Sequence, residues 1–196
     1  MKQKNTHSFP KTVILIRHVG IGDLIWHLPY IRAIAAQSRD GKVSVIAAPS
    51  TLAPSILAAE DCIEHVILYD RNPRRNETRK ANHGGIIGMW RFSQELAKYR
   101  FDRAYLFSRR HHHAILARMA GIPIRAGFGT NAVQRHFLNA PPFIQKYKGE
   151  GVAVFEDATA FVLAHGITTE RAIPKMKVPE ADLDFGVKTL AGFNCP

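Results

Sequence analysis

"KTVILIRHVGIGDLIWHLP", residues 11–29, decides the fold. Its first part, KTVILIRHV (11–19), is rich in β-branched residues and apolar almost throughout. A strand with one wet face alternates polar and apolar residues. A continuous run is what a strand buried on both faces of a parallel sheet requires. A turn holding Gly20 and Gly22 follows, and Asp23 then stands at a helix start. Leu24, Leu28, Ile31 and Ala35 come at spacings of four, three and four, which makes one apolar helical stripe. Pro29 lies inside that stripe and predicts a kink or a restart.

The same alternation continues downstream. GKVSVIAAP (41–49), IEHVILYD (63–70), FDRAYLFS (101–108) and IRAGFG (124–129) read as strands. STLAPSILAA (50–59) reads as a short helix with Ser50 as its N-cap. IGMWRFSQELAKYR (87–100), HHAILARMAGIP (112–123) and VAVFEDATAFVLAHGI (152–167) read as longer helices, the last two closing at Gly121 and Gly166. Residues 71–85 form a polar loop. Strands alternating with helices give an α/β fold, a Rossmann-like doubly wound parallel sheet. Function in such sheets collects at the carboxyl ends of the strands, here Gly20–Asp23, Asp70–Lys80 and Ser108–His113.

Bulk properties narrow the class. The chain has 196 residues, 46% hydrophobic and 22% charged, as in ordinary globular proteins. No run approaches the ~18 apolar residues of a membrane span. The apolar run after the basic N-terminus is too short for a signal peptide and meets Arg17. Cys62 and Cys195 form no CxxC and no metal spacing, so both read as reduced thiols of a cytoplasmic protein. The net charge of +11 asks for an anionic partner: lipid headgroups, phosphorylated sugars or nucleic acid.

Several motifs are weighed against this background. The first turn departs from a dinucleotide fingerprint, because Ile25 stands where a third small residue is needed and Asp23 would repel a pyrophosphate. Gly127, Gly129 and Ala132 fit the looser G-x-G-x-x-A pattern, but no clear helix follows them. Asp23 has two open roles, a helix N-cap and a general base. A helix N-terminus favours the ionised carboxylate, which holds it ready to accept a proton but weakens it as a base. Loop 71–85 carries Arg71, Arg74, Arg75, Arg79 and Lys80 against the single acid Glu77. Arginine forks in that number suit phosphate. The loop lacks the interleaved aromatics of single-strand nucleic-acid binders, so no nucleic acid is expected. In SRRHHH (108–113) adjacent histidines on a helix point about 100° apart and cannot share one ion, so no metal is expected; Arg109 and Arg110 read as anion contacts or surface. Asp182-Leu183-Asp184 is a D-x-D in a polar stretch with no strand before it and reads as coincidence.

VILIRHVGIGDLIWHLPYIRAIA (13–35) resembles the opening of glycosyltransferase family 9, the ADP-heptose:lipopolysaccharide heptosyltransferases, in Gly22, Asp23 and Pro29. RMAGIPIRAGF (118–128) and GVAVFEDATAFVLAHGI (151–167) resemble later segments of the family's first domain. Where the family has an Asp-x-x-Gly-Leu segment after its fourth strand, this chain has LFSRRHHHA (106–114). The resemblance implies the N-terminal half of a GT-B fold. It implies inverting, cofactor-free and metal-independent transfer from a nucleotide-sugar such as ADP-heptose to a phosphorylated lipid A or inner-core acceptor. It makes Asp23 the base, and makes Gly20, Gly22, Arg71, Arg74, Arg75, Arg79, Lys80, Arg109 and Arg110 the acceptor side. The expected organisation is a polar tail (1–11), an acceptor domain (12–178) and a truncated linker (179–196) toward a donor domain. A cytoplasmic protein, peripheral at the inner membrane and inactive alone, follows from this reading. A non-catalytic module for anionic glycolipid or membrane surface is the alternative, and a basic nucleic-acid binder the third.

Overall fold

The computed structural model describes residues 9–16, 20–71, 78–146, 148–149, 153–168 and 173–191. Five strands form one sheet: β1 (Thr12–Ile16), β2 (Val43–Ala47), β3 (Ile63–Leu68), β4 (Arg103–Phe107) and β5 (Ile124–Gly127). Their order is β3-β2-β1-β4-β5, and every pairing is parallel. Leu15 is in register with Ile46 on one side and Leu106 on the other. All five residues of β1 are buried, as its unbroken apolar run requires.

Side-chain alternation along β1 splits the core into two layers. Ile14 and Ile16 pack beneath α1 (Ile21–Ala36), α2 (Ala53–Ile56) and α6 (Ala153–Ala164). Val13 and Leu15 pack beneath α3 (Gly85–Ala97) and α4 (His111–Met119). The stripe read on α1 is the buried one: Leu24, Leu28, Ile31 and Ala35 are all inside. Tyr30 of α1 bonds Thr159 of α6 at 2.7 Å and joins the two helices of that layer.

The structure corrects several local expectations. Helix α1 begins at Ile21 with Gly20 as its N-cap, and it runs unbroken through Pro29. One proline removes a single backbone bond, and the buried stripe on both sides of it holds the helix together. Ser50 does not cap α2. It lies in a 3-10 turn (Pro49–Thr51), and Leu52, in the left-handed region at φ 52°, leads into the helix instead. A helix does follow Gly127 and Gly129: α5 (Ala132–Phe137), capped by Asn131, whose side chain accepts from Gln134 N–H at 2.8 Å. Asp182 and Asp184 lie on α7 (Glu180–Leu190), so that D-x-D is helical. Among the described residues, no helix is long and apolar enough to cross a membrane.

At the amino ends of the strands, Arg32 forks onto Glu60 at 2.9 and 2.6 Å and also donates to the Lys175 carbonyl at 2.6 Å. This fastens the 173–179 segment under α1. The arginine holds the Glu60 carboxyl below its usual range, against the opposing effect of burial. Helix α3 makes an unusually close approach. A methyl group at Gly88 would lie 2.3 Å from the His83 carbonyl carbon and 2.7 Å from its oxygen, and both are backbone atoms. Alanine should favour a helix interior by about 1 kcal/mol over glycine. Here Gly88→Ala should instead cost about 1–3 kcal/mol through overpacking. Urea unfolding of the two proteins measures the sign, and a stabilised variant would refute the close approach.

Candidate functional site

The order of the strands locates the opening. The chain leaves β1 toward β2 on one side, while β4 lies on the other. Loops leaving β1 and β4 therefore part, and ligands of such sheets sit in the crevice between them. On the β1 side the wall is Gly20 and the first turn of α1. Asp23 is its third residue and is partly exposed. Gly20 occupies the cap position, so Asp23 is not the N-cap. Its carboxylate turns back over Gly20, with Oδ2 3.0 Å from where a Cβ would stand at that position. No hydrogen bond or ion pair engages this carboxylate among the described residues. Gly22 has open space around it.

One neighbour of Asp23 escaped the sequence reading. His27, fully buried, donates from Nδ1 to the Asp23 carbonyl, since a carbonyl can only accept. Its ring meets Phe107 of β4 edge-on at 5.1 Å. His27 thus ties the turn bearing Asp23 to the strand across the crevice. The available signal was its place four residues after Asp23, beside the apolar stripe.

On the β4 side Ser108 is buried. Its Oγ accepts from Arg110 N–H at 3.0 Å and pairs with His113 Nδ1 at 2.6 Å, while its carbonyl accepts from Gln134 Nε2 at 2.6 Å. Arg109 donates from Nε to Asp157, a buried acid on α6. Its Nη2 is buried and has no hydrogen-bond partner among the described residues. Arg110 is exposed at the N-cap of α4. His111 is exposed and His113 buried, and among the described residues no three potential metal ligands converge.

The loop after β3 is built around Asp70. This buried carboxylate accepts from Nη1 and Nη2 of Arg79 and from Asn82 N–H at 3.2 Å. Arg71 donates to the Tyr69 hydroxyl at 3.2 Å and approaches Met89 Sδ at 3.3 Å. Lys80 is exposed, and Arg74 and Arg75 lie outside the described residues. The five cations read as one phosphate grip are therefore divided: Arg79 and Arg71 fasten the loop, and Lys80 faces solvent. Tyr69 stacks on Phe92 at 4.5 Å and meets His113 edge-on at 6.1 Å, which brings this loop beside the start of α4. Asp23, Arg79, Lys80, Arg109 and Arg110 all stand at the carboxyl end of the sheet, and none of these cations pairs with Asp23.

The fold can be compared with known structures. The family 9 glycosyl transferase of Veillonella parvula superposes with a TM-score of 0.70 over 96% of this chain and 51% of its own, at 15% identity. ADP-heptose lipopolysaccharide heptosyltransferase II of E. coli gives 0.63 over 94% and 51%, at 17% identity. E. coli heptosyltransferase WaaC, solved with ADP, gives 0.51 over 84% and 50%, at 16% identity. The fold is that of half a GT-B glycosyltransferase. No protein-family model and no curated protein matches the sequence. The chain spans about half the length of these structures, and the likeness is one of fold.

The Asp70–Arg79 pair makes a pH prediction. The hydrogen bonds from Arg79 hold the Asp70 carboxyl below the ordinary aspartate range, against burial, and Asn82 N–H adds to them. An unfolded aspartate titrates near 3.9. The pair's contribution is therefore complete above about pH 4 and is lost as pH falls through the still lower folded value. Asp70→Asn should cost about 1–3 kcal/mol at neutral pH. The gap between variant and parent in urea unfolding should close in acid; a gap that stays constant with pH would assign the loss to packing instead.

Proposed function

We propose that this chain is the acceptor-binding half of a heptosyltransferase-like enzyme of lipopolysaccharide core biosynthesis, acting at the cytoplasmic face of the membrane. The reading is carried by the uncommitted Asp23 carboxylate at the fold's switch point, in a fold shared with family 9 glycosyltransferases. Two of the compared heptosyltransferase structures hold ADP or an ADP-fluoroheptose, and an ADP-heptose-like donor is the counterpart proposed here. A second Rossmann-like domain would hold it. The exposed apolar side chains of α7, Leu183, Phe185, Val187 and Leu190, are the surface we assign to that domain.

In the complete enzyme an acceptor sugar enters between Asp23 and the Arg110 wall. Its hydroxyl gives its proton to the Asp23 carboxylate as the oxygen attacks the anomeric carbon. The bond from that carbon to the donor's diphosphate breaks on the opposite face, and configuration inverts. The charge leaves with the nucleoside diphosphate, so the step needs no metal or cofactor. His27 holds the turn that aims Asp23. Lys80 and Arg110 supply the attraction for acceptor phosphates.

Two measurements test this. The isolated chain should bind a phosphorylated, deacylated inner-core saccharide and transfer no heptose to it from ADP-heptose; robust transfer would defeat the two-domain reading. In enzyme completed with a donor domain, Asp23→Asn should lower kcat by about 10²–10⁴-fold while acceptor affinity holds. Unchanged turnover would remove Asp23 from the mechanism; acceptor binding with no transfer even in the completed enzyme would leave the alternative, a non-catalytic module for anionic glycolipid.

A further inference from the structure

A surface helix normally turns polar residues outward. The N-terminal end of α3 does the reverse: Ile86 is 79% exposed, Ile87 68% and Trp90 53%. At 100° per residue, Ile86, Trp90, Gln94, Ile87 and Arg91 fall on one arc, opposite the buried Met89, Phe92 and Leu96. The apolar members of that arc are confined to the end of the helix that emerges at the carboxyl edge of the sheet. Single exposed apolar residues are ordinary, but three on one arc of a helix call for a partner.

The charges around them select it. Arg79 and Lys80 lie in the segment leading into the helix, and Arg91 follows Trp90; all three are exposed. The nearest acid on the arc's border is Glu95, a turn further along. Asp70 is buried under Arg79. Two isoleucines and a tryptophan with the exposed cations Lys80 and Arg91 close by in the chain match the boundary of an anionic bilayer. There tryptophan sits among the headgroups, aliphatic groups reach the acyl region, and Lys and Arg meet lipid phosphates.

We propose that the N-terminal end of α3 is a membrane-docking face, with Ile86, Ile87 and Trp90 entering the interface of an anionic bilayer and Lys80 and Arg91 contacting its phosphates. This deepens the glycolipid-acceptor reading and rests on it for the choice of membrane. The same edge of the sheet carries Asp23, so docking there would turn the crevice toward an acceptor anchored in that leaflet.

The chain has two tryptophans, so Trp26→Phe leaves Trp90 as the only reporter. Mixed with phosphatidylcholine vesicles containing phosphatidylglycerol, its emission should shift to the blue and be quenched by lipids brominated in the acyl chain. Pure phosphatidylcholine should give neither effect, and high salt should reverse both. Ile86→Ser with Ile87→Ser should weaken partitioning roughly ten- to hundredfold. If that variant loses its helical signal, Lys80→Glu with Arg91→Glu tests the same face from its charge side and should also reduce binding. An unshifted Trp90 spectrum on anionic vesicles overturns the proposal. So does vesicle binding that neither double variant reduces, or sedimentation showing that the patch joins two copies of the chain. No sugar transfer enters these measurements. Docking that survives in a chain that transfers no heptose even when completed with a donor domain would keep this face and discard the transferase reading.

Discussion

The position of β1 in the middle of the sheet is the constraint from which the rest follows. It pairs with β2 on one flank and β4 on the other, and so it must be apolar on both faces. Even its one polar member, Thr12, turns its hydroxyl to the Pro10 carbonyl at 3.1 Å. With β1 central, the helix that follows it packs on one face of the sheet and the helix after β4 packs on the other. The two loops are pulled apart, and the crevice is what remains between them. A β1 at the sheet's edge would have no such opening, and Asp23 would be only a surface acid near a helix start.

What could be read from the sequence is what depends on neighbours along the chain. The doubly wound sheet follows from apolar runs separated by helical stripes. The left-handed glycines that end α4 and α6, Gly121 and Gly166, stand where the spacing put them. Local rules failed where distant packing outweighed them. Pro29 should interrupt α1, yet residues on both sides of it lie in the same buried layer. Ser50 has the chemistry of a cap, but Leu52 takes the left-handed turn that starts α2. The short α5 gave no periodic signal, since a six-residue helix shows less than two turns of pattern.

The charges show the same limit more sharply. Sequence counts cations but cannot see which of them a buried acid has already engaged. Among the described residues, three arginines answer buried carboxylates: Arg32 with Glu60, Arg79 with Asp70, and Arg109 with Asp157. A buried acid left unpaired costs several kcal/mol, and the guanidinium fork can satisfy two lone pairs at once. These arginines are fixed first by the fold, and only what remains exposed is free for an anionic ligand. Arg109 and Arg79, read as anion contacts, serve as struts of the loops they stand on. Lys80, Arg110 and Arg91 stay outside such pairs, and the basic surface open to a partner is correspondingly narrower than the net charge implies.

Asp23 and Gly20 form a unit that neither residue makes alone. In the first turn of a helix, an acid that folds back over the backbone lies among the free amides of that turn. As a base for a sugar hydroxyl it would gain from excluding water when a cleft closes over it. Exclusion is possible only if the carboxylate can lie close to the backbone rather than extend into solvent, and the missing side chain at Gly20 makes the room. Any Cβ there would press on Oδ2 at 3.0 Å and push the acid outward. His27 works in the same direction from beneath, because its bond to the Asp23 carbonyl and its edge against Phe107 fix the turn to the strand across the opening. The glycine thus answers to the position of the acid three residues on, since its own backbone, at φ −95°, is one that any residue adopts.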